Sequence, residues 1–498
     1  MIALGLLGVA LLAGGGWARS LMRSIRVVHP LLTLLTTLAL SVGGVTTLML
    51  YIGLGNLPLG LASVLLPYMV LMGIGWIVLW RTAPPTPLAT VRVPAVFWWI
   101  AVPVSMAIVF NGLYWGFYRD DTLGIYAPFA QELFHTQRLI PITPQRNLYE
   151  LYPQLASMSA ALVYWMAGNA STPLATLPTT LLSIGTLGAT YLLADRLLGR
   201  ISAVVAVFCM ATLPDFGNWA SSGYVDLPMA FYYTLGIVWL LEWERTQSWQ
   251  AALMSGLLFG WSAWTKNAAL VAISLFFTYT GFLLTQKKLS LNTCVIAYSA
   301  VMIVAAPWYV RNLVLAGTLT PDTVWAEDAQ QGIRTVFALI TLPINYGIIG
   351  WILQVSVFFT GWQVIFPTHP SVFYPAQRTA LFLLYWTTPF FMLWLLFASY
   401  DPRFLLLYIP LLTVMAGWFC EMLWIKWLQS WYRRIPISCF KHLIPLCLFV
   451  SLLLFSMWHS IDYKRAILDQ PFASYDDKRT FIEHETHRKH NDEIHNLH

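Results

Sequence analysis

Long apolar runs without charge constrain this chain more than any other feature. The segment from Ala95 to Phe117, for example, carries no acidic or basic side chain. A helix of about 20 apolar residues spans the hydrocarbon core of a bilayer. Lipid offers no partner to a free backbone N–H or C=O group, so spanning segments must be helices or closed barrels. Runs of this length and number therefore predict a helical bundle in a membrane.

Composition supports this interpretation, since 10% of the 498 residues are charged and 58% are hydrophobic. A soluble domain carries about 25% charged residues. Many of the 24 tryptophans lie near segment ends, where membrane interfaces concentrate them. We predict an all-α polytopic transmembrane bundle of about 12 to 14 spans. The segments lie near 1–17, 31–52, 58–80, 95–117, 173–195, 201–218, 226–243, 250–265, 268–285, 292–310, 342–362, 379–398, 403–425 and 442–460.

The first segment differs from a cleaved secretory signal. No basic residue precedes its apolar run, and Arg19, Arg23 and Arg26 follow it. A signal peptide has the reverse order, so we interpret this segment as a short first span. The five cysteines lack metal-ligand spacing and are typical of small apolar fillers.

Charged residues between the segments sort into two alternating sets. By the positive-inside rule, the set richer in Lys and Arg is cytoplasmic and the other faces the periplasm, exterior or lumen. The first set contains Arg19, Arg23, Arg26, Arg81, Arg92, Arg196, Arg200, Arg245, Lys287, Lys288, Lys426, Arg433, Arg434 and Lys441. The second contains Asp120, Asp121, Asp215, Asp226, Lys266, Arg311, Asp401 and Arg403.

The largest loop on the second face covers about 118–172. Its segment 149–168 is apolar, but a span there would invert the alternation of all later loops. We therefore expect an amphipathic helix that lies on the outer surface and packs against the bundle.

Two acidic positions on this face are candidates for chemistry. Asp120 and Asp121 directly follow an apolar segment, where they would cap a helix or begin a solvated loop. Adjacent carboxylates also perturb each other's protonation, and such a pair can bind a metal or deprotonate a hydroxyl. Asp226 begins a later segment, where the helix dipole favours a carboxylate. Its alternative role is that of a second acidic partner.

Three basic residues share the same predicted face. Lys266, Arg311 and Arg403 each lie at the end of an apolar segment. Such side chains commonly extend to the membrane interface. Close to carboxylates, they would also hold the phosphate or pyrophosphate of a lipid substrate.

Several function classes are disfavoured. No basic run interleaved with aromatic residues indicates nucleic-acid binding, and no Gly-rich phosphate loop indicates a nucleotide cofactor. Ion-coupled transporters keep ionisable groups near the bilayer midplane, and such groups are scarce in these segments. A lipid-linked-sugar flippase or other transporter and a non-enzymatic scaffold stay as alternatives. The polar tail 461–498 holds several histidines without the spacing of a metal site, which indicates a disordered end.

The order of these motifs resembles the GT-C superfamily of integral membrane glycosyltransferases. The resemblance is to enzymes related to protein O-mannosyltransferases and aminoarabinose transferases, that is, family 39. It spans about 95–415, with Asp-Asp where members have Asp-Glu, and with three additional spans before that motif. The matching motifs are Asp120–Pro128, Tyr152-Pro153, Asp195–Arg200, Gly223–Asp226, Gly260–Lys266, Pro307–Pro321 and Arg403–Pro410.

The resemblance implies sugar transfer from a polyprenyl-phosphate donor to a protein, lipid or glycan acceptor, with inversion. Asp120 or Asp121 would be the catalytic base, and the two together are also the candidate ligands for a divalent cation. Asp226 would be the second acidic residue of the site. Lys266, Arg311 and Arg403 would bind the donor phosphate. We divide the chain into extra helices (1–94), a GT-C-like module (95–425), a last transmembrane helix (426–460) and the tail (461–498). The compact loops favour a bacterial plasma membrane, with the site on its outer face.

Overall fold

The computed structural model describes most of the chain. The described residues are 2–25, 27–81, 89–90, 92–119, 121–143, 149–321, 346–347, 349–366, 376–397, 402–424 and 450. Asp120, the predicted segment near 442–460 and the tail 461–498 lie outside them. The division of the chain into modules stays a prediction.

Helices make up nearly all of the described structure. They are α1 (Ile2–Leu12), α2 (Gly15–Ser24), α3 (Pro30–Leu54), α4 (Leu61–Arg81), α5 (Ala95–Trp115), α6 (Ala127–Thr136), α7 (Leu155–Ala167), α8 (Leu177–Leu197), α9 (Arg200–Ala211), α10 (Pro214–Ala220), α11 (Asp226–Thr246), α12 (Trp249–Thr265), α13 (Leu270–Thr285), α14 (Leu291–Ala316), α15 (Ile349–Ile365), α16 (Ala376–Phe397) and α17 (Ile409–Leu423). A π-helical turn covers Thr122–Tyr126, and 3-10 turns cover Tyr149–Leu151, Pro173–Thr176, Asn267–Ala269 and Pro402–Leu407. Two short strands, β1 (Val27–Val28) and β2 (Ala89–Thr90), pair in parallel.

The prediction of an all-α membrane bundle is confirmed. Within the described residues, eight helical segments are long and apolar enough to cross a membrane. A ninth would be α9 with α10, which meet at a bend of 69°. The break falls at Leu213-Pro214, because the residue before a proline disfavours helical backbone.

Helix α11 is almost wholly buried, although it is not among these eight. Every residue from Asp226 to Trp243 is buried, and α8 and α12 flank it. A helix enclosed by other helices can carry polar groups that a lipid-facing helix cannot. The close approach of α12 to α14 depends on Gly256, where a Cβ atom would lie 2.2 Å from the Ala297 carbonyl oxygen. Small residues of this kind let membrane helices pack closely.

The helix in the first large loop differs from the prediction. Residues 155–167 form α7 and pack against the bundle, mainly against α6, α1 and α3. However, Leu155 to Met166 are buried on every side of the helix. The expectation of an amphipathic helix is therefore wrong, because neighbouring helices cover its whole surface.

Charged groups gather at the two ends of α11. Asp226 begins the helix, while Glu242 contacts Arg196 and Arg245 near its other end, and Glu244 contacts Arg378. Twenty-one residues of helix separate these ends by about 30 Å. Arg196 and Arg245 belong to the set predicted to be cytoplasmic, and Asp226 belongs to the other set. The structure thus separates members of the two sets along one buried helix.

Candidate active site

The segment after α5 is fixed in place by its own hydrogen bonds. Tyr118 Oη donates to the Asn218 carbonyl oxygen at 2.9 Å. Thr122 Oγ1 accepts from the Arg119 backbone N–H (2.9 Å) and donates to the Arg119 carbonyl oxygen (2.6 Å). The π-helical turn begins at Thr122. Asp121 therefore projects from a constrained position immediately before this turn.

Asp121 pairs with a residue from the far end of the sequence. Arg403 Nη1 donates to Asp121 Oδ2 at 3.0 Å and to Tyr224 Oη at 2.7 Å. The same Tyr224 oxygen accepts the Asp121 backbone N–H at 3.1 Å. The Asp121 side chain is 40% exposed and that of Arg403 is 12% exposed. Tyr224 thereby fixes both members of a pair whose carboxylate stays open to solvent.

A second pair is buried beside it. Lys266 Nζ donates to Asp226 Oδ1 at 2.5 Å, and the two side chains are 11% and 1% exposed. Asp226 is the first residue of α11, where the helix dipole favours its charge. Lys266 follows the end of α12 with an extended backbone (φ −155°). Asp226 Oδ2 accepts no hydrogen bond from the described residues.

One aromatic ring joins the two pairs. The Phe404 ring centroid lies 4.4 Å from Lys266 Nζ and 4.8 Å from Arg403 Cζ. The rings of Trp219 and Tyr224 lie 5.3 and 4.9 Å from the same Arg403 carbon. Cation–π attraction of this kind holds cations in place without neutralising them. We call Asp121, Tyr224, Asp226, Lys266 and Arg403 the acid–base cluster.

Tyr126 interacts electrostatically with both carboxylates of the cluster. Its ring meets that of Tyr224 edge-on, with centroids 6.4 Å apart. Burial raises the pKa of the Tyr126 phenol well above its usual value, and the negative charges of Asp121 and Asp226 raise it further. The phenol therefore stays protonated at neutral pH, as a donor beside two carboxylates.

Gly223 sets the backbone that presents Tyr224. Its φ is +83°, and a Cβ atom there would lie 2.6 Å from the Phe117 ring. Only glycine adopts such a backbone without strain. The predicted motif Gly223–Asp226 thus depends on a tight turn that delivers two residues of the cluster.

Arg311 occupies a different environment. It lies near the end of α14, stacks on Trp308 at 4.5 Å and donates through Nη2 to the Ile140 carbonyl oxygen. Glu150 is fully buried, interacts electrostatically with Arg311 and accepts from Thr143 Oγ1 at 2.7 Å. Among the described residues, Arg311 contacts the segment 140–151 rather than the acid–base cluster.

The structure thus brings together four of the predicted site residues. These are Asp121, Asp226, Lys266 and Arg403, whereas Arg311 lies apart. Sequence reasoning missed Tyr224 and Phe404 as members of the site. Both lie inside the matching motifs: Tyr224 is two residues before Asp226, and Phe404 directly follows Arg403. However, no spacing rule identifies a hydrogen-bonding tyrosine or a stacking ring. Asp120 lies outside the described residues.

The described part of the cluster does not match a divalent-metal site. No three His, Cys, Asp or Glu side chains converge within the described residues. Asp121 Oδ2 already accepts from Arg403 at 3.0 Å. A guanidinium at that distance repels a second cation, so the described carboxylate is a poor ligand as it stands.

One family model matches part of the sequence. Residues 152–310, which include Asp226 and Lys266, match the family model described as dolichyl-phosphate-mannose-protein mannosyltransferase. No curated protein matches the sequence.

Three solved structures are similar in fold. ArnT from Cupriavidus metallidurans in the apo state is 16% identical with a TM-score of 0.50, over 78% of this chain and 75% of that chain. The Archaeoglobus fulgidus oligosaccharyltransferase in complex with Zn and sulfate is 13% identical with a TM-score of 0.51, over 73% and 53%. The oligosaccharyltransferase AglB from the same organism, in complex with an inhibitory peptide and a dolichol-phosphate, is 11% identical with a TM-score of 0.50, over 74% and 55%.

The helical bundle, the family match over part of the chain and the similar solved structures all support the same fold. This chain therefore has the fold of the GT-C superfamily of integral membrane glycosyltransferases.

Proposed function

We propose that this protein transfers a sugar from a polyprenyl-phosphate-linked donor to an acceptor hydroxyl at the membrane face that carries the acid–base cluster. One observation carries the proposal. In a GT-C fold, residues from the loop after α5, the start of α11, the end of α12 and the turn before α17 converge as two carboxylate–cation pairs. Such an arrangement offers a base and a phosphate site within one small volume.

Asp121 is the proposed general base. Its carboxylate is 40% exposed, so an acceptor hydroxyl can reach it. The hydroxyl oxygen attacks the anomeric carbon, its proton passes to the carboxylate, and the bond from that carbon to the phosphate oxygen breaks. This single displacement inverts the anomeric configuration. Asp120 stays the alternative base, because the two aspartates are adjacent and either matches the motif.

Arg403 and Lys266 are proposed to stabilise the departing phosphate. Negative charge grows on the phosphate oxygen as the bond breaks, and fixed cations aimed at growing charge are usually the largest catalytic contribution. Phe404 stacks against both cations, which keeps them close together. Arg311 stays the third proposed phosphate ligand, although its described contacts are to Trp308, Asn312 and Ile140 and not to the acid–base cluster.

Asp226 is proposed to act through Lys266 rather than on substrate. Its side chain is 1% exposed, so an acceptor cannot reach it in this conformation. Its charge orients Lys266, whose Nζ donates to Asp226 Oδ1 at 2.5 Å. If a divalent cation binds, Asp120 and Asp121 are its proposed ligands, and the steps above use the side chains alone.

A groove between two helices is the proposed site for the far part of the donor's lipid chain. A lateral groove of about 720 Å³ lies between α13 and α16 and includes Phe282, Leu381 and Pro389. Its lining also includes Lys288 and Arg378, so the groove covers the half of these helices that is remote from Lys266 and Arg403, and the far part of a long polyprenyl chain is the part that would lie in it. The AglB neighbour binds a dolichol-phosphate, which supports a lipid phosphate as the donor carrier. We propose a bacterial plasma membrane as the location, with the cluster on its outer face, and a protein, lipid or glycan acceptor.

Transfer and transport are separable in one experiment. The protein is reconstituted in liposomes with polyprenyl-phosphate sugars that carry label on the sugar, together with candidate acceptors. We expect label to move to an acceptor, with release of an equal amount of polyprenyl phosphate. The Asp120→Asn/Asp121→Asn double variant should lose this activity, and Glu132→Gln, a carboxylate in α6 outside the cluster, should keep it. Movement of intact labelled lipid across the bilayer without any transfer would instead identify a flippase.

A further inference from the structure

A second groove lies at the end of the bundle remote from the acid–base cluster. Its volume is about 680 Å³, and its walls come from α2, α3, α4 and α12. Three of these helices belong to the additional N-terminal region. The polar lining residues Ser20, Arg23 and Ser24 lie near the end of α2, and Gln250 lies near the start of α12. The opposite end of α12 leads to Lys266, so this groove plays no part in the proposed transfer.

The groove is about one leaflet deep. Along α12, the lining residues run from Gln250 through Leu253 and Leu257 to Trp261. Eleven steps of helical rise correspond to about 16 Å, close to half of the roughly 30 Å hydrocarbon core. Polar residues line one end, and the rest of the lining is apolar. This layout fits a single phospholipid, with its headgroup at the polar end and an acyl chain along the apolar part.

Tight packing fixes the walls of the groove. A Cβ atom on Gly16 would lie 2.5 Å from the backbone N of Trp76, and one on Gly75 would lie 2.5 Å from the Trp17 ring. At the inner wall, a Cβ atom on Gly43 would lie 2.4 Å from the Trp261 ring. Helices that already touch at such short range cannot approach each other further to close the groove. An empty apolar space inside a bilayer forfeits dispersion contacts that a lipid chain supplies.

Charge selects the headgroup. The first 118 residues of the chain contain five arginines and no acidic residue (Arg19, Arg23, Arg26, Arg81 and Arg92). Arg23 lines the groove and donates to the Leu79 carbonyl oxygen, which fixes its guanidinium between α2 and α4. Arg19 stacks over Trp76 at 5.3 Å, and Arg81 ends α4 at the same end of the bundle. Arginines near the membrane surface attract anionic lipids.

We propose that this groove binds one anionic glycerophospholipid, drawn from the leaflet at the arginine-bearing end. Its phosphate lies at Arg23, and one acyl chain lies along Leu253, Leu257 and Trp261. The bound lipid joins the additional N-terminal helices to α12, the helix that ends at Lys266.

Native mass spectrometry of the full-length protein tests this proposal. The protein in mild detergent is equilibrated with equal amounts of phosphatidylglycerol and phosphatidylcholine that carry identical acyl chains. We expect one retained phosphatidylglycerol per chain. Leu257→Trp fills the groove and should abolish retention, while Val314→Trp, at an exposed position of α14, should not. Arg23→Gln should lower the preference for the anionic lipid about fivefold, and Arg23→Lys should keep most of it.

Three results would overturn the proposal. Equal retention of both lipids would remove the charge argument. Identical behaviour of Leu257→Trp and Val314→Trp would place the lipid elsewhere. Absence of any retained lipid would mean that the groove is filled by another part of the chain. None of these readouts depends on sugar transfer, so this proposal and the proposed function fail separately.

Discussion

At the scale of single residues, exposure assigns different roles to the two aspartates of the acid–base cluster. Asp121 is 40% exposed and Asp226 is 1% exposed, although each contacts a cation. A base must touch the acceptor, so the proposed reaction uses Asp121 directly and Asp226 through Lys266. Sequence position could not separate them, because each aspartate directly adjoins an apolar segment.

Removal of the Tyr224 hydroxyl should lower turnover without unfolding the protein. Tyr224→Phe keeps the ring that stacks on Arg403 but removes the oxygen that accepts from Arg403 and from the Asp121 backbone. Hydrogen bonds to charged groups contribute about 1.5–3 kcal/mol, so we expect kcat to fall roughly ten- to hundredfold. Tyr68→Phe removes a buried hydroxyl far from the cluster and should leave kcat unchanged. Equal kcat in Tyr224→Phe and wild type would remove Tyr224 from the site.

Substitutions of Asp226 and Lys266 should have non-additive effects on the stability of the protein. Asp226→Asn leaves the Lys266 ammonium without its carboxylate, and breaking a buried ion pair costs about 3–5 kcal/mol. Lys266→Met in the same chain removes the uncompensated charge and should restore part of the loss. Thermal unfolding of Asp226→Asn, Lys266→Met and the double variant in detergent measures this. Additive losses of stability would contradict the pairing. The restored double variant should still lack transfer, because the phosphate ligand is gone.

At the scale of elements, the sequence predicts the helices well and their contacts poorly. Apolar runs locate α3, α8 and α14 because each must match the bilayer thickness. The contact of Arg403 with Asp121 joins residues 282 positions apart, and no local pattern encodes it. The apolar segment of α7 predicts a helix, but whether neighbours cover it on one side or on all sides depends on the assembled bundle.

The start of α3 should make stability depend on pH. His29 caps this helix by accepting the Leu32 N–H at 3.4 Å, and burial, with Arg196 nearby, lowers its pKa from 6.5 to about 4. The unfolded chain therefore binds a proton below about pH 6.5 that the folded chain resists until about pH 4. The contribution of His29 to the free energy of unfolding is therefore complete above pH 6.5. It falls as the pH drops, by about 2 kcal/mol at pH 5.

His29→Asn tests this dependence, since asparagine caps helices well and does not titrate. The midpoint of thermal unfolding should fall between pH 7 and pH 5 in the wild type, and it should fall less in the variant. Parallel curves for the two proteins would assign the pH dependence to other groups.

At the scale of the whole molecule, α11 connects two charged ends with different partners. One end holds Asp226 and Lys266, and the other holds Glu242 between Arg196 and Arg245. The sequence predicts this separation from alternating loops, because spans reverse direction at each turn. It cannot predict that one enclosed helix carries both charged ends, because this depends on how α8 and α12 pack around α11.

The rate of sugar transfer by Asp121→Asn is the measurement that tests the central claim most directly. Wild type, Asp121→Asn, Asp120→Asn, the Asp120→Asn/Asp121→Asn double variant and the control Glu132→Gln are compared in the same liposomes with the same labelled donor. Loss of a general base lowers the rate about 10²- to 10⁴-fold. We predict that loss for Asp121→Asn with unchanged thermal stability, and near-normal transfer for Glu132→Gln. Full activity in the Asp120→Asn/Asp121→Asn double variant would contradict the account.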